Sequence, residues 1–143
     1  MLTTDCIFLE NELMDVVRLF KSRPLCVKHF FRFENGAFYN DFAVDGQAYS
    51  FKDEGQVSDE IEYKRLERRF AKLGLYAILS DLYGEKMPWG ALTGIRPTKL
   101  AYAETEAGRD FVPLLKKMRV SEENISLVKE VLKTQEGIYE KKD

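Results

Sequence analysis

The residues of this chain with the clearest chemical potential lie in one short run, Met87-Pro88-Trp89-Gly90-Ala91-Leu92-Thr93-Gly94-Ile95-Arg96-Pro97-Thr98-Lys99, which holds the only tryptophan and two of the four prolines. Gly90 and Gly94 permit a left-handed or close-approaching backbone, and Pro97 suits the first position of a helix. The unpaired N–H groups of such a helix start, with Arg96 and Lys99 beside them, are suited to bind a carboxylate. Trp89 offers a flat apolar face, either to anchor the loop or to meet a planar ligand. The run lacks the G-x-x-x-x-G-K-[ST] spacing of a nucleotide-binding loop, and nothing in it is catalytic by type. A packed interhelical loop anchored by Trp89 is the competing reading.

A second set is the basic series Lys64, Arg65, Arg68, Arg69 and Lys72, which falls on neighbouring positions of a helix and forms a candidate anion patch for phosphates. Glu60, Glu62 and Glu67 are interspersed with it, so an ordinary solvated face is the better explanation, and no stacking aromatics accompany it. The single histidine, His29, lies in an apolar strand with no second His or Cys at ligand spacing, which makes it a surface or hydrogen-bonded residue and not a metal ligand. Cys6 and Cys26 form no C-x-x-C and read as buried small hydrophobes. No carboxylate pair stands out as an acid/base couple, since Glu122 and Glu123 are explained by a helix start. The sequence therefore predicts no catalytic residue and no metal ligand in this chain.

The elements that must position these residues follow from periodicity and turn chemistry. An apolar run at residues 6–9 reads as a strand, and Asn11 then caps a helix carrying Leu13, Val16, Val17 and Phe20. Residues 25–33, 37–44 and 47–51 read as strands joined by Asn35-Gly36 and Asp45-Gly46, the strongest hairpin signals available. In the first of these, Leu25, Val27, Phe31 and Phe33 take one face and Lys28, Phe30 and Arg32 the other. From Asp59, with Glu62 completing a capping box, a long helix carries the stripe Tyr63, Leu66, Phe70, Leu73 and Ala77. Its second half is apolar nearly all round, which marks a central helix. Helices follow from Pro97 to a stop near Gly108, from Asp110, and from Ser121 to about Tyr139, with Val120 and Ile125 as a hydrophobic staple and residues 140–143 as a charged tether. The fold class is α+β: an antiparallel meander of three to four strands followed by a helical half. Residues 1–57 form a β-rich half with one helix and residues 58–143 a helical half, together one domain.

The 143 residues are 45% apolar and 13% aromatic, enough to bury roughly two-thirds of the unfolded surface and exclude general disorder. Twenty-two Lys and Arg against 24 Asp and Glu give a net charge of −2, which removes the overall basic field of a general nucleic-acid binder. Two distant cysteines fit a reducing compartment, and no leader-like or membrane-spanning segment is legible, so a cytoplasmic protein is expected.

Residues 88–100, from Pro88-Trp89-Gly90 through Gly94-Ile95-Arg96-Pro97 to Leu100, resemble a block found in the oxygen-independent coproporphyrinogen dehydrogenases of the HemZ type, just upstream of their radical-SAM barrel. The helices after it, including Val120-Ser121-Glu122-Glu123, are similar to the segment that joins this block to the barrel, so the resemblance covers about a third of the chain. In that family a C-x-x-x-C-x-x-C motif in the barrel holds a [4Fe–4S] cluster that cleaves S-adenosylmethionine and oxidatively decarboxylates two porphyrinogen propionates. That motif is not in this sequence, and no catalytic residue carries over. The resemblance implies an N-terminal accessory segment stopping before the barrel, whose partners are its own downstream barrel and a tetrapyrrole substrate. On that expectation Trp89, Arg96 and Lys99 are the contact residues and the chain alone is inactive. The alternative is a nucleic-acid-binding or protein-interaction module using residues 64–72.

Overall fold

The computed structural model describes residues 1–21, 23–24, 26–92 and 96–142. They form two compact units, Met1–Glu85 and Lys86–Asp143. The first contains a four-stranded sheet in the order β1 (Leu2–Thr4), β2 (Val27–Glu34), β3 (Ala37–Val44), β4 (Gln47–Glu54), with helices α1 (Glu10–Arg18) and α2 (Glu60–Tyr83). The second contains α3 (Pro97–Glu106), α4 (Val112–Lys117) and α5 (Glu122–Lys142). The class is α+β, as the residue pattern predicts.

Strands β2, β3 and β4 are the expected meander, registered Val27↔Val44 and Val44↔Gln47. Both hairpin turns are left-handed at both central residues, with Asn35 at φ 50° and Gly36 at 75°, and Asp45 at 47° and Gly46 at 87°. That is the two-residue turn whose twist matches the strands it joins. The last strand extends to Glu54, past the expected end at residue 51.

The N-terminus departs from the expectation. The strand is Leu2–Thr4, paired parallel to Val27–His29, and the apolar residues Ile7–Leu9 form a 3₁₀ turn. With β1 already occupying the free side of β2, the chain must bend away to enter α1. The Thr4 hydroxyl accepts the Cys6 N–H at 3.1 Å to make the bend, which buries Leu9 and leaves Ile7 and Phe8 exposed. Helix α1 then begins at Glu10 as a continuation of this turn, so Asn11 lies inside the helix and is not its cap.

The capping prediction for α2 holds: Asp59 Oδ1 accepts the Glu62 N–H at 2.8 Å. Glu62 itself pairs with Arg65 at 3.7 Å. Leu66, Phe70 and Ala77 of the predicted stripe are buried, and so is every residue from Gly74 to Ser80. This helix packs on the sheet through Leu66, Phe70 and Phe38, with Phe31 and Tyr63 against them. It therefore belongs with the strands, and the compact units divide after Glu85 and not at residue 57.

In the second unit Pro97 occupies the first turn of α3 and Gly108, at φ 78°, follows its end. The Val112 N–H donates to Asp110 Oδ1 at 3.0 Å, and the Asn124 N–H to Ser121 Oγ at 3.3 Å. Val120 and Ile125 are both buried, consistent with the staple. The helix α5 runs to Lys142, so residues 140–142 continue it in place of the predicted tether. Among the described residues, no helix is long and apolar enough to cross a membrane.

Candidate functional site

The tryptophan loop is built from two overlapping tight turns, with Gly90 N–H donating to the Met87 carbonyl at 3.0 Å and Leu92 N–H to that of Trp89 at 3.1 Å. Its backbone is joined to the connection between α4 and α5, nearly thirty residues away in sequence. The Ala91 N–H donates to the Met118 carbonyl at 2.8 Å, and the Ser121 N–H donates to the Pro88 carbonyl at 2.9 Å. Asn124 Nδ2 donates to the same Pro88 oxygen at 3.1 Å. Gly90 lies against this seam in the left-handed region at φ 57°, where a Cβ would stand 2.1 Å from the Met118 carbonyl oxygen. Only glycine fits there. Ala91, Leu92, Met118 and Val120 are buried around the seam, while Trp89 is half-buried.

Arg96 is exposed at the N-cap position of α3, with an extended backbone and no side-chain cap of its own. Lys99 is exposed on the first turn of that helix. The first turn carries no acidic residue, so two cations and uncapped N–H groups share this end. Thr93, Gly94 and Ile95, which join the loop to the helix, lie outside the described residues. The arrangement can hold an anion, and among its described residues there is no acid/base pair.

The basic series on α2 does not form one surface. Lys64, Arg65 and Arg68 are exposed and pair with Glu60 at 3.6 Å, Glu62 at 3.7 Å and Glu12 at 3.4 Å. Arg69 is half-buried, and Lys72 is 5% exposed. Burial lowers the Lys72 pKa, opposed by the carboxylates of Glu12 and Asp15. As an anion patch the series loses Lys72 to the interior and carries a carboxylate beside each of its three exposed cations.

His29 is hydrogen-bonded and 1% exposed, with Nδ1 2.7 Å from Thr4 Oγ1 and Nε2 2.8 Å from Asn40 Oδ1. The cysteines are free and only half-buried, which corrects their reading as buried hydrophobes. Cys6 Sγ donates to Glu67 Oε1 at 3.4 Å, and Tyr63 also hydrogen-bonds to Glu67. Burial, followed by the Glu67 carboxylate, pushes the Cys6 thiol up to about 11. Sequence spacing had no access to this trio, because Cys6 and Glu67 are 61 residues apart. Asn40 was legible: it alternates with Phe38, Phe42 and Val44, which places it on the buried face.

Among the described residues, no three His, Cys, Asp or Glu side chains are grouped as metal ligands. Compared with protein-family models, curated proteins and solved structures, the chain matches none.

Proposed function

We propose that this chain is the N-terminal accessory, non-catalytic part of an oxygen-independent coproporphyrinogen dehydrogenase, an enzyme of porphyrin and heme biosynthesis that oxidatively decarboxylates coproporphyrinogen III to protoporphyrinogen. The observation that carries the reading is the resemblance of residues 88–100 to the block preceding the radical-SAM barrel. The geometry supports it in one respect. The described part of that block is not a slack linker: it is seamed by backbone hydrogen bonds to residues 118–121 and requires glycine at position 90.

The donor set of this chain does not fit the implied [4Fe–4S] cluster. Cys6 and Cys26 are the only two thiols, a cluster site of this kind needs three, and Cys6 is held in its protonated form by burial and Glu67. On this proposal the cluster and S-adenosylmethionine belong to the barrel, and no chemical step is assigned here. The chain's own contribution is to present Trp89 on a rigid turn for apolar contact, and Arg96 and Lys99 at a helix start for a carboxylate, either a propionate or a barrel side chain.

The test is to express the parent reading frame anaerobically and record its iron content and ultraviolet-visible spectrum. About four irons per chain, with a three-cysteine motif downstream, are expected. A parent protein that contains neither iron nor that motif overturns the proposal. Arg96→Ala and Trp89→Ala in that protein are expected to weaken coproporphyrinogen binding or barrel docking, and unchanged affinity in both removes their assigned role. The nucleic-acid reading predicts steeply salt-dependent binding lost in Lys64→Ala and Arg68→Ala, and the ion pairs on that face argue against it.

A further inference from the structure

The two edges of the sheet are finished differently. On the β2 side, β1 covers Val27–His29, and the Asp5 carboxylate takes the next edge amide, with the Phe31 N–H donating to Asp5 Oδ1 at 2.8 Å. On the other side β4 is an open edge. It pairs with β3 from Gln47 to Glu54 without a break, so no bulge twists it away, and it contains no proline.

The pairing decides which backbone groups of β4 are left over. Val44 and Gln47 close a two-residue turn and exchange both hydrogen bonds, and the pattern repeats at every second residue. Gln47, Tyr49, Phe51 and Asp53 therefore use their backbone groups on β3. Ala48, Ser50, Lys52 and Glu54 turn theirs outward. All four residues are exposed, and among the described residues none of them meets a backbone partner on that side.

Such an edge is completed by another strand, and β4 is complementary to itself. Its four outward residues are spaced symmetrically about Phe51. An antiparallel copy related by a two-fold axis at Phe51 pairs Ala48 with Glu54 and Ser50 with Lys52, once in each direction. Every outward group is then joined, in eight backbone hydrogen bonds, two for each of four pairs. On the face toward α2 this register opposes Phe51 with Phe51 of the second copy, at a position where cross-strand side chains come closest, and Tyr49 with Asp53. Phe51 and Tyr49 are half-buried in the single chain, and Phe51 already meets Phe42 with ring centres 6.1 Å apart, so the second copy extends an existing aromatic row. No like charges face each other. Sliding the copy by two residues one way opposes Lys52 with Lys52, and the other way sets Glu54 opposite Gly46, a turn residue outside the strand. Lys52 and Glu54 of one chain lie 3.6 Å apart, which leaves the edge without net charge to repel its copy.

We propose that β4 is a self-association surface, pairing antiparallel about Phe51 with β4 of a second copy to make one continuous sheet. The interface lies within residues 47–54 and is independent of the reading of residues 88–100.

The experiment is sedimentation velocity on the native chain from about 5 to about 500 µM, where a single strand pair, at the small end of interfaces, is expected to give a reversible dimer with a dissociation constant on the order of 50 µM. The Ser50 and Lys52 amides, which face water in the single chain, are expected to exchange about fivefold more slowly at the highest concentration. Ser50→Pro removes an outward N–H that β3 does not use, so the chain is expected to keep its far-ultraviolet circular dichroism and sediment as a monomer throughout. Two variants that leave the backbone intact test the register even if that one does not fold. Ser50→Lys sets a cation opposite Lys52 of the second copy and is expected to weaken the dimer about fivefold, whereas Ser50→Glu is expected to tighten it about as much. A monomer at about 500 µM overturns the proposal and leaves the edge to an extended segment of another protein. A dimer that Ser50→Pro does not weaken, outward amides that stay unprotected in the dimer, or a Ser50→Glu dimer no tighter than Ser50→Lys also overturn it.

Discussion

Replacing Gly90 by alanine tests the seam that shapes the tryptophan loop. The new methyl group would lie 2.1 Å from the Met118 carbonyl oxygen and 2.5 Å from the Arg119 carbonyl carbon, both backbone atoms, so the two segments must part by about 1 Å. A left-handed alanine costs about 1–2 kcal/mol in itself. Parting the segments breaks the bonds of Ala91 to Met118 and of Ser121 to Pro88, each worth about 1 kcal/mol. The combined loss is about 3–4 kcal/mol, close to the whole stability expected of a unit this small. Urea unfolding followed by tryptophan fluorescence is the natural assay, because Trp89 is the sole tryptophan and is adjacent to the substitution. With a slope of about 1–2 kcal/mol per molar, the midpoint falls by about 2 M or more, or the second unit is unfolded in water. Gly108→Ala is the control: its φ is 78°, but nothing lies within 4 Å of the added methyl, so it carries the backbone cost alone. A Gly90→Ala protein within 1 kcal/mol of the parent, or no worse than Gly108→Ala, would refute the reasoning.

Two further substitutions probe the first unit. Asp59→Ala removes the cap on the Glu62 N–H and is expected to cost about 1 kcal/mol in thermal unfolding, with Asp59→Ser recovering most of it. In a Cys26→Ser background, Cys6 should alkylate about 100-fold more slowly at pH 8 than an ordinary thiol, since its thiolate is suppressed by a shift from 9.0 to about 11. Glu67→Gln removes the adjacent negative charge and should restore part of that rate, measured with iodoacetamide. If Cys6 reacts at the ordinary rate in the parent protein, its contact with Glu67 is not kept in solution.

The parts of this protein legible in sequence are those governed by neighbours along the chain. Asn35-Gly36 and Asp45-Gly46 prescribe their turns because few residues adopt positive φ, and the alternation around them then sets the meander's register. Asp59 and Pro97 mark helix starts because the groups they satisfy or omit are within four residues. The same locality explains the failure at residues 6–9: an apolar run is compatible with a strand or a turn, and which one forms depends on β1 already occupying the side of β2. The candidate residues divide in the same way. Trp89, Arg96 and Lys99 were chosen by type and by neighbouring Gly and Pro; the exposure of Arg96 and Lys99 follows from a helix start, while Trp89 is half-buried on a turn. Whether Lys72 faces water, what Cys6 touches, and why Gly90 must be glycine are matters of contact with residues far away in sequence: Glu12 and Asp15, Glu67, and Met118. Residue type and spacing determine the two hairpin turns, the Asp59 cap and the alternating faces of β3. Only the tertiary structure decides which elements meet, because burial and charge pairing are properties of surfaces that exist once the chain has folded.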